Sequence, residues 1–495
     1  MRKTSVHRES ISLMSSSLEA EKPRAPTHRE ALWIVAAVLP TVFIAAVDQT
    51  IVAGALPSIG REFGASQNLS WVVSAYLITL TAATPLFGKM SDIAGRRLML
   101  RTGLLIFMAG GIAAALAPNL PMLILARAMQ GVGGAGLTSQ ALTILGDIAP
   151  PKERARYYTY FSIVYTTAGG IGPALGGFLT QHAHWTLVFV VTLPLGLASL
   201  VWSDRLLKNL PRHQKPHKLD LLGAALIVAA STTFLFVITA GGKTYPWTSG
   251  EIALAASASA LGWVLFCLRQ TRAPEPLIPL HILKSRIVMA AIGASACGWG
   301  AIIGLNIYLP LYLQSVHAMT PGEAGLHLMA LMVTVNLGAL MGSLASARME
   351  RYKLYPIATS VICILAMAWL AWRVETISQI EFQLVLVAIG LGFGPMAPVV
   401  TLVVQNSVKM SELGAATSTL SFGRGLFSAV LVAAFGAVAL QALGASGAHL
   451  PPGKEIAVDA FRIVFWLASA SFAFGLASFM LIEERPLQSS NAARG

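Results

Sequence analysis

The chain of 495 residues is 55% hydrophobic and only 12% charged, with a mean hydropathy of +0.67. Soluble domains carry about 25% charged residues, so this composition excludes an ordinary soluble protein and predicts one that lies in a lipid bilayer. The net charge of +13 is divided into short runs between long apolar segments rather than gathered on one face, so no nucleic-acid partner is predicted. Its three cysteines, Cys267, Cys297 and Cys363, stand at no metal-ligand spacing, so neither a metal site nor a disulfide framework is predicted.

The first apolar segment, 31–57, follows a polar, basic stretch at 1–30 that we expect to be a disordered cytoplasmic tail without a signal peptide. The segment is long enough to cross a bilayer of about 30 Å and holds one acidic residue, Asp48, well inside it. A carboxylate at mid-bilayer costs on the order of 3 kcal/mol, so it usually faces a bundle interior or a wet cavity. Asp48 is therefore the first candidate functional residue, and the alternative is a structural ion pair with an arginine of another helix.

Fourteen apolar segments of spanning length follow one another between residues 31 and 482, among them 157–180, 185–203 and 381–405. With the N-terminus inside, 28 of the 35 lysines and arginines fall in cytoplasmic segments, as the positive-inside rule requires. The sequence therefore predicts fourteen spans with both termini cytoplasmic. They divide into a six-helix bundle at 31–203, a linker with two extra transmembrane helices at 204–286, a second six-helix bundle at 287–482 and a cytoplasmic tail at 483–495.

The loop after the second segment combines a turn glycine, an acid and paired arginines in Gly88-Lys-Met-Ser-Asp-Ile-Ala-Gly-Arg-Arg97. Such a group at a helix end can hold one conformation and release another. The order of residues resembles the loop signature of the major facilitator superfamily. The resemblance implies a conformational latch formed by Gly88, Asp92, Gly95, Arg96 and Arg97.

Three further motifs resemble the fourteen-span drug:proton antiporter branch of that superfamily. The stretch Asp48-Gln-Thr-Ile-Val-Ala-Gly-Ala-Leu-Pro57 is similar to its first-helix signature, with Ala53 in place of the usual asparagine. Ala126-Arg127-Ala-Met-Gln130-Gly131 is similar to a motif whose intramembrane arginine is tied to proton transfer. The glycine-rich stretch of the fifth segment resembles the antiporter motif found in exporters, with Ala168 in place of its first glycine; the matching residues are Gly172, Pro173, Gly176 and Gly177.

This resemblance spans residues 31–482 and implies an all-α integral membrane protein with the major facilitator fold, two six-helix bundles plus two extra helices. It implies a proton-coupled antiporter that exports lipophilic small molecules by alternating access across the inner (plasma) membrane of a prokaryote. Asp48 and Arg127 are the predicted proton-coupling residues. A proton that moves inward across about 100 mV releases roughly 2.3 kcal/mol, so the proton motive force replaces any cofactor.

Alternative functions remain open at this point. A lipid or metabolite exporter and a proton-coupled uptake transporter would share the fold. A membrane sensor would need a folded output domain, and an enzyme a nucleophile–base pair or a ligand cluster, and the sequence offers neither. No Walker-type loop is present, so ATP is not predicted as the energy source, and a monomer in the bilayer, with protons and small lipophilic substrates as its partners, is expected.

Candidate substrate-cavity residues are polar or aromatic side chains inside the apolar segments, each of which has a purely structural alternative. His327 could titrate near neutral pH, and Arg424 could bind an anionic group or pair with a backbone carbonyl. The tenth and thirteenth segments lack the interior acids that dication exporters carry, which favours monovalent, neutral or anionic substrates. The candidates are Tyr76, Gln130, His327, Phe422 and Arg424, with Tyr165, Trp299, Tyr308 and Phe393 as further aromatic residues.

Overall fold

The computed structural model describes residues 28–63, 69, 71–149, 151–209, 220–242, 245–274, 276–319, 321–349, 351–409, 412–444 and 454–484. Residues 1–27 of the predicted N-terminal tail, 485–495 of the predicted C-terminal tail and 210–219 of the predicted linker lie outside these ranges.

The described residues form seventeen α-helices. They are, in chain order, α1 (His28–Phe63), α2 (Trp71–Ala94), α3 (Arg96–Ala115), α4 (Leu120–Ile148), α5 (Pro151–His182), α6 (Leu187–Val190), α7 (Thr192–Leu206), α8 (Leu221–Ala240), α9 (Gly250–Arg272), α10 (Leu280–Lys284), α11 (Arg286–Val316), α12 (Pro321–Arg348), α13 (Leu354–Trp372), α14 (Gln379–Phe393), α15 (Met396–Asn406), α16 (Leu413–Gly444) and α17 (Lys454–Met480).

Thirteen stretches of the described chain are long and apolar enough to cross a membrane. They correspond to thirteen of the fourteen predicted segments, with 381–405 represented by α14 and α15 together. The remaining segment, 157–180, lies in α5, which has 32 residues and is long enough to span. The thirteen stretches are counted over described residues alone, and several side chains of α5, including that of Pro173, lie outside the described set.

The helices pack as two halves with the same contact scheme. In the first half α1 packs against α5 and α7, α4 against α2 and α3, and α3 against α7. In the second half α11 packs against α16 and α17, α14 against α12 and α13, and α13 against α17. The corresponding helices occupy corresponding positions, which is the arrangement of a parallel structural repeat.

The two halves meet through α2 and α4 against α16, and through α5 against α12 and α15. The extra pair lies outside this interface, because α8 packs against α2 and α16, and α9 packs against α8. Below, the side of the bundle where α2 ends and α3 begins is called the Gly95 end.

Two predicted segments each comprise two helices, although the residues between the helices keep helical backbone angles. Segment 185–203 is divided at Val191 into α6 and α7, and segment 381–405 is divided at Gly394 and Pro395 into α14 and α15. Pro395 lacks a backbone N–H, so it cannot continue the hydrogen-bond ladder of α14. The break faces Gly342 of α12, where an added Cβ atom would lie 2.5 Å from the Cα atom of Pro395. Close packing at Gly342 therefore holds α12 tightly to this segment.

Candidate functional site

A buried acid–arginine–glutamine group lies between α1 and α4. The Nη1 atom of Arg127 donates to the Oδ2 atom of Asp48 at 2.7 Å, and the Nε2 atom of Gln130 donates to the Oδ1 atom at 2.9 Å. Arg127 also donates to the Oε1 atom of Gln130 at 2.6 Å. The exposed fractions of the three residues are 0% for Asp48, 1% for Arg127 and 0% for Gln130. The carboxylate therefore faces the bundle rather than lipid, with both oxygens engaged.

The guanidinium of Arg127 is positioned by α2 as well as by Asp48. Its Nε atom donates to the carbonyl oxygen of Val72 at 3.1 Å, and its Cζ atom lies 4.4 Å from the ring centroid of Tyr76. The approach of α2 to α4 depends on Gly131, where an added Cβ atom would overlap the backbone of Tyr76. A cation over an aromatic face is stabilised further when it is desolvated. The site is thus shared by α1, α2 and α4.

The glycines of the exporter-like motif bring α5 against α1 directly beside Asp48. A Cβ atom at Gly172 would overlap the side chain of Thr50, and one at Gly176 would overlap the carbonyl oxygen of Ile51. Thr50 donates its hydroxyl to the carbonyl oxygen of Ala168 at 3.2 Å. A Cβ atom at Gly177 meets nothing within 4 Å. The α1–α5 contact is therefore made by backbone approach at two of the predicted glycines, while Gly177 lies away from it.

The predicted latch residues meet at the Gly95 end. Arg96 forms ion pairs with Asp92 and with Asp147, the latter at 2.7 Å, and Asp92 accepts from the backbone N–H of Ala415 in the second half at 3.1 Å. Gly88 lets α2 touch α16, since a Cβ atom there would overlap Ser418.

The two remaining latch residues act within the first half. Gly95 has a φ of 92°, a conformation that other residues rarely adopt. Arg97 makes two hydrogen bonds to Asp204 at 2.9 and 2.7 Å, which tie α3 to α7.

A second contact between the halves, centred on Gln405 of α15, was not predicted from the sequence. Its Oε1 atom accepts from the hydroxyl of Tyr158 at 3.1 Å and from Arg154 at 3.5 Å. Its Nε2 atom donates to the carbonyl oxygen of Leu142 at 3.2 Å and to Thr417 at 3.3 Å. Gln405 is 2% exposed. A glutamine at the end of an otherwise apolar segment was the available signal, because a buried amide requires several partners.

Arg424 lies near the centre of α16, between the two halves. Its Cζ atom is 5.5 Å from the ring centroid of Trp299 in α11, and it interacts electrostatically with Tyr165 of α5. Tyr165 is 37% exposed although it lies well inside α5. Gln49, adjacent to Asp48, is also exposed. These side chains therefore line an open space between the halves.

The other cavity candidates are not brought to this space. Phe422 lies two residues from Arg424, on the opposite face of α16, with its ring 6.3 Å from that of Trp263 in the extra helix α9. His327 contacts Gln383 of α14 through its Nδ1 atom, and its ring lies 5.9 Å from that of Phe382. The ring of Phe393 lies 5.5 Å from that of Trp299, while the hydroxyl of Tyr308 donates to the carbonyl oxygen of Val432 at 3.5 Å.

Two repeated halves of bilayer-length helices, with a buried acid–arginine pair inside the first half, define a multi-pass membrane transporter. A model of the Major Facilitator Superfamily matches residues 38–433, and the chain belongs to this superfamily.

The chain is 29% identical over 414 residues to Multidrug transporter protein MdtP of Bacillus subtilis (strain 168), with 82% of this chain and 74% of the relative covered. It is 28% identical over 511 residues to MFS-type efflux pump MMF1 of Pseudozyma antarctica (strain T-34), with 95% and 94% covered. The fold resembles the solved structure of the proton:xylose symporter XylE bound to 6-bromo-6-deoxy-D-glucose. The TM-score is 0.66 at 14% identity, and the match covers 94% of this chain and 99% of that one. The fourteen-span exporter branch predicted from the motifs agrees with these relatives.

Proposed function

We propose that this protein is a proton-coupled antiporter that exports lipophilic small molecules by alternating access of its two halves. The observation that carries the proposal is the neutral, fully buried group formed by Asp48, Arg127 and Gln130. It is supported by relatives named as a multidrug transporter and an efflux pump. We further propose that the Gly95 end faces the cytoplasm of a prokaryote and that the protein resides in the plasma membrane.

Protonation of Asp48 changes the balance of charge inside the first half. The ionised carboxylate accepts two hydrogen bonds and neutralises Arg127, whereas the protonated acid has one O–H donor and leaves the guanidinium without a counter-charge. The attraction between α1 and α4 is therefore lost when a proton binds. Because Gly172 and Gly176 hold α5 against α1, a shift of α1 also displaces α5, which contacts α12 and α15 of the second half.

The conformation described here is closed at the Gly95 end. The hydrogen bond from the backbone N–H of Ala415 to Asp92, together with those around Gln405, joins the halves there. Asp48 has no exposed surface in this conformation, so the proposal requires proton exchange in a conformation in which the Asp48–Arg127 pair opens. The energy released by an inward proton, roughly 2.3 kcal/mol per 100 mV plus about 1.4 kcal/mol per pH unit, then drives outward transport.

The test compares the transport activity of a variant at Asp48 with that of a variant at an exposed aspartate. We expect Asp48→Asn to abolish proton-driven transport of chloramphenicol, a neutral lipophilic drug, in inside-out vesicles, where substrate-induced proton release is followed by a pH-sensitive dye. The substitution keeps the side-chain shape but removes the titratable group. The matched control is Asp459→Asn, because Asp459 pairs with Arg462 at the protein surface.

Asp48→Asn also leaves Arg127 without a counter-charge, which costs about 3–5 kcal/mol when a buried pair is broken. The double variant Asp48→Asn, Arg127→Gln restores neutrality and separates loss of folding from loss of coupling. If the double variant is present at normal levels and still transports with proton release, the proposed role of Asp48 is wrong.

A further inference from the structure

We propose that Arg424 makes the passage between the halves selective for anionic amphipathic substrates, whose negative group it binds. The inference rests on the proposed function for the location of the passage, and it adds the charge class of the substrate. Its basis is the guanidinium of Arg424, which lies in the interior of a spanning helix and has no acidic partner in the part of the chain that the structure describes.

Near the middle of the described helices, basic side chains outnumber acidic ones. Asp48 is the carboxylate near the middle of a described helix, and the other described carboxylates lie within two turns of a helix end or in loops. Arg127 neutralises Asp48 at 2.7 Å. The described residues form neither an ion pair nor a hydrogen bond with Arg424; its neighbours are the ring of Trp299 and the phenol of Tyr165. Among the described residues, Arg424 is therefore a positive charge near the middle of a helix that no carboxylate compensates.

An isolated cation at this depth is costly unless something pairs with it. The adjacent positions of α16 do not supply a partner. Gly423 packs against Ile292 of α11, and Gly425 packs against Thr81 of α2. An added Cβ atom at either glycine would lie 2.8 Å from that neighbour. Arg424 thus lies between close-packed glycines that hold α16 against its neighbours while the guanidinium extends toward α5 and α11. This geometry positions the charge for a ligand that enters from the open space.

The surrounding groups define the rest of the ligand. Trp299 presents its ring to the guanidinium, and the partly exposed phenol of Tyr165 is a second aromatic neighbour. A negatively charged group on an aromatic or lipophilic body would pair with Arg424 and place its body against these rings. A cationic substrate would instead bring a like charge near Arg424, which opposes binding. The site therefore favours amphipathic anions over lipophilic cations.

Binding of two dyes that share a xanthene ring system tests this charge preference. The full-length protein in detergent at pH 7.5 is titrated into sulforhodamine B, which is net negative, or rhodamine 6G, which is positive, and binding is followed by fluorescence polarisation. We expect tighter binding of sulforhodamine B. Arg424→Gln should weaken it by about 10-fold or more, as loss of a charge-assisted hydrogen bond predicts, while Arg424→Lys should retain most of it.

The matched control is Arg373→Gln. Arg373 also lies over a tryptophan ring, with its Cζ atom 6.0 Å from the centroid of Trp369, but it is partly exposed and pairs with Glu381 at 3.6 Å. This variant should leave both titrations unchanged.

Thermal unfolding distinguishes a binding role from a structural one. Removal of an uncompensated interior charge should leave the melting temperature unchanged or raise it, so Arg424→Gln should bind the anion less well without loss of stability. A large fall in melting temperature would instead indicate that Arg424 is a packing residue, and the proposal would be wrong. Equal binding of the two dyes by the unmodified protein would also overturn it.

These outcomes are independent of the proton-coupling test, because binding is measured without a pH gradient. Failure of Asp48→Asn to abolish proton-driven transport would remove the coupling proposal and leave the dye preference intact. Loss of the dye preference would remove the anion proposal and leave coupling intact.

Discussion

Single residues decide how closely the helices around Asp48 can approach. The first half places a carboxylate, a guanidinium and an amide in mutual hydrogen-bond contact with almost no exposed surface. Such a group tolerates little change in helix position, because each lost partner leaves a buried polar atom unsatisfied. The glycines of α5 are therefore as important to the site as the charged residues.

Gly176 and Gly177 offer a matched pair of substitutions. We expect Gly176→Ala to lower the melting temperature and the transport rate, because its methyl group would overlap the carbonyl oxygen of Ile51. The cost should be about 1–3 kcal/mol, typical of overpacking. Gly177→Ala, which meets nothing within 4 Å, should be neutral or slightly stabilising.

Differential scanning fluorimetry of the two purified variants makes the comparison. Equal melting temperatures would contradict the assignment of Gly176 to the α1–α5 contact.

The sequence identified the charged residues of this site, but not the contacts that they make. Asp48 and Arg127 were identifiable because an ionisable side chain in an apolar segment is rare and costly. That Gln130 would bind both of them, and that Phe422 would face α9, could not be derived, because the rotation of each helix depends on contacts between distant segments. Aromatic residues inside apolar segments carry no comparable signal.

At the scale of helices, α15 connects the halves at the Gly95 end through a single glutamine. Gln405 bonds to α4, α5 and α16 at once, and Asp92 adds a bond from α2 to the start of α16. Opening of this end must break these bonds. The two positions therefore set the relative free energies of the closed and open conformations.

We expect Gln405→Ala to shift the population toward opening at the Gly95 end. Amide hydrogen exchange measured by mass spectrometry should become faster at the start of α5 and the end of α15, since exchange reports local opening. The matched control is Gln140→Ala. Gln140 is also fully buried, but it donates to the carbonyl oxygen of Phe87 within the first half at 3.1 Å.

The control should lower overall stability without selective exchange at the interface between the halves. The same exchange pattern in both variants would show that Gln405 does not hold the two halves together.

The sequence analysis located two segments as single spans but not the points at which each divides into two helices. The predicted segments 185–203 and 381–405 are divided at Val191 and at Gly394 and Pro395. An apolar run indicates that a segment spans the bilayer, but it does not report where the helix bends. Pro395 was a visible signal, since a proline inside a helix usually marks a kink. At Val191 the sequence has no proline or glycine to indicate the division.

At the scale of the whole molecule, the distribution of basic residues predicts the orientation in the membrane. The Gly95 end should be cytoplasmic, because most lysines and arginines lie on that side. In a variant whose three cysteines are replaced by alanine, we compare Arg351→Cys with Glu375→Cys. Both positions are exposed, and they lie at opposite ends of α13.

A membrane-impermeant maleimide added to intact cells should label Glu375→Cys and leave Arg351→Cys unlabelled until the membrane is permeabilised. The reverse pattern would invert the proposed orientation and, with it, the direction of transport assigned to the closed conformation.

The hydrogen bonds around Gln405 and Asp92 have a consequence for an idle transporter. In the orientation proposed above, these bonds close the cytoplasmic side, so metabolites and ions inside the cell would meet a closed entrance. Binding of substrate would then have to supply part of the free energy needed to open this side. Leakage of other solutes would stay low when no substrate is present.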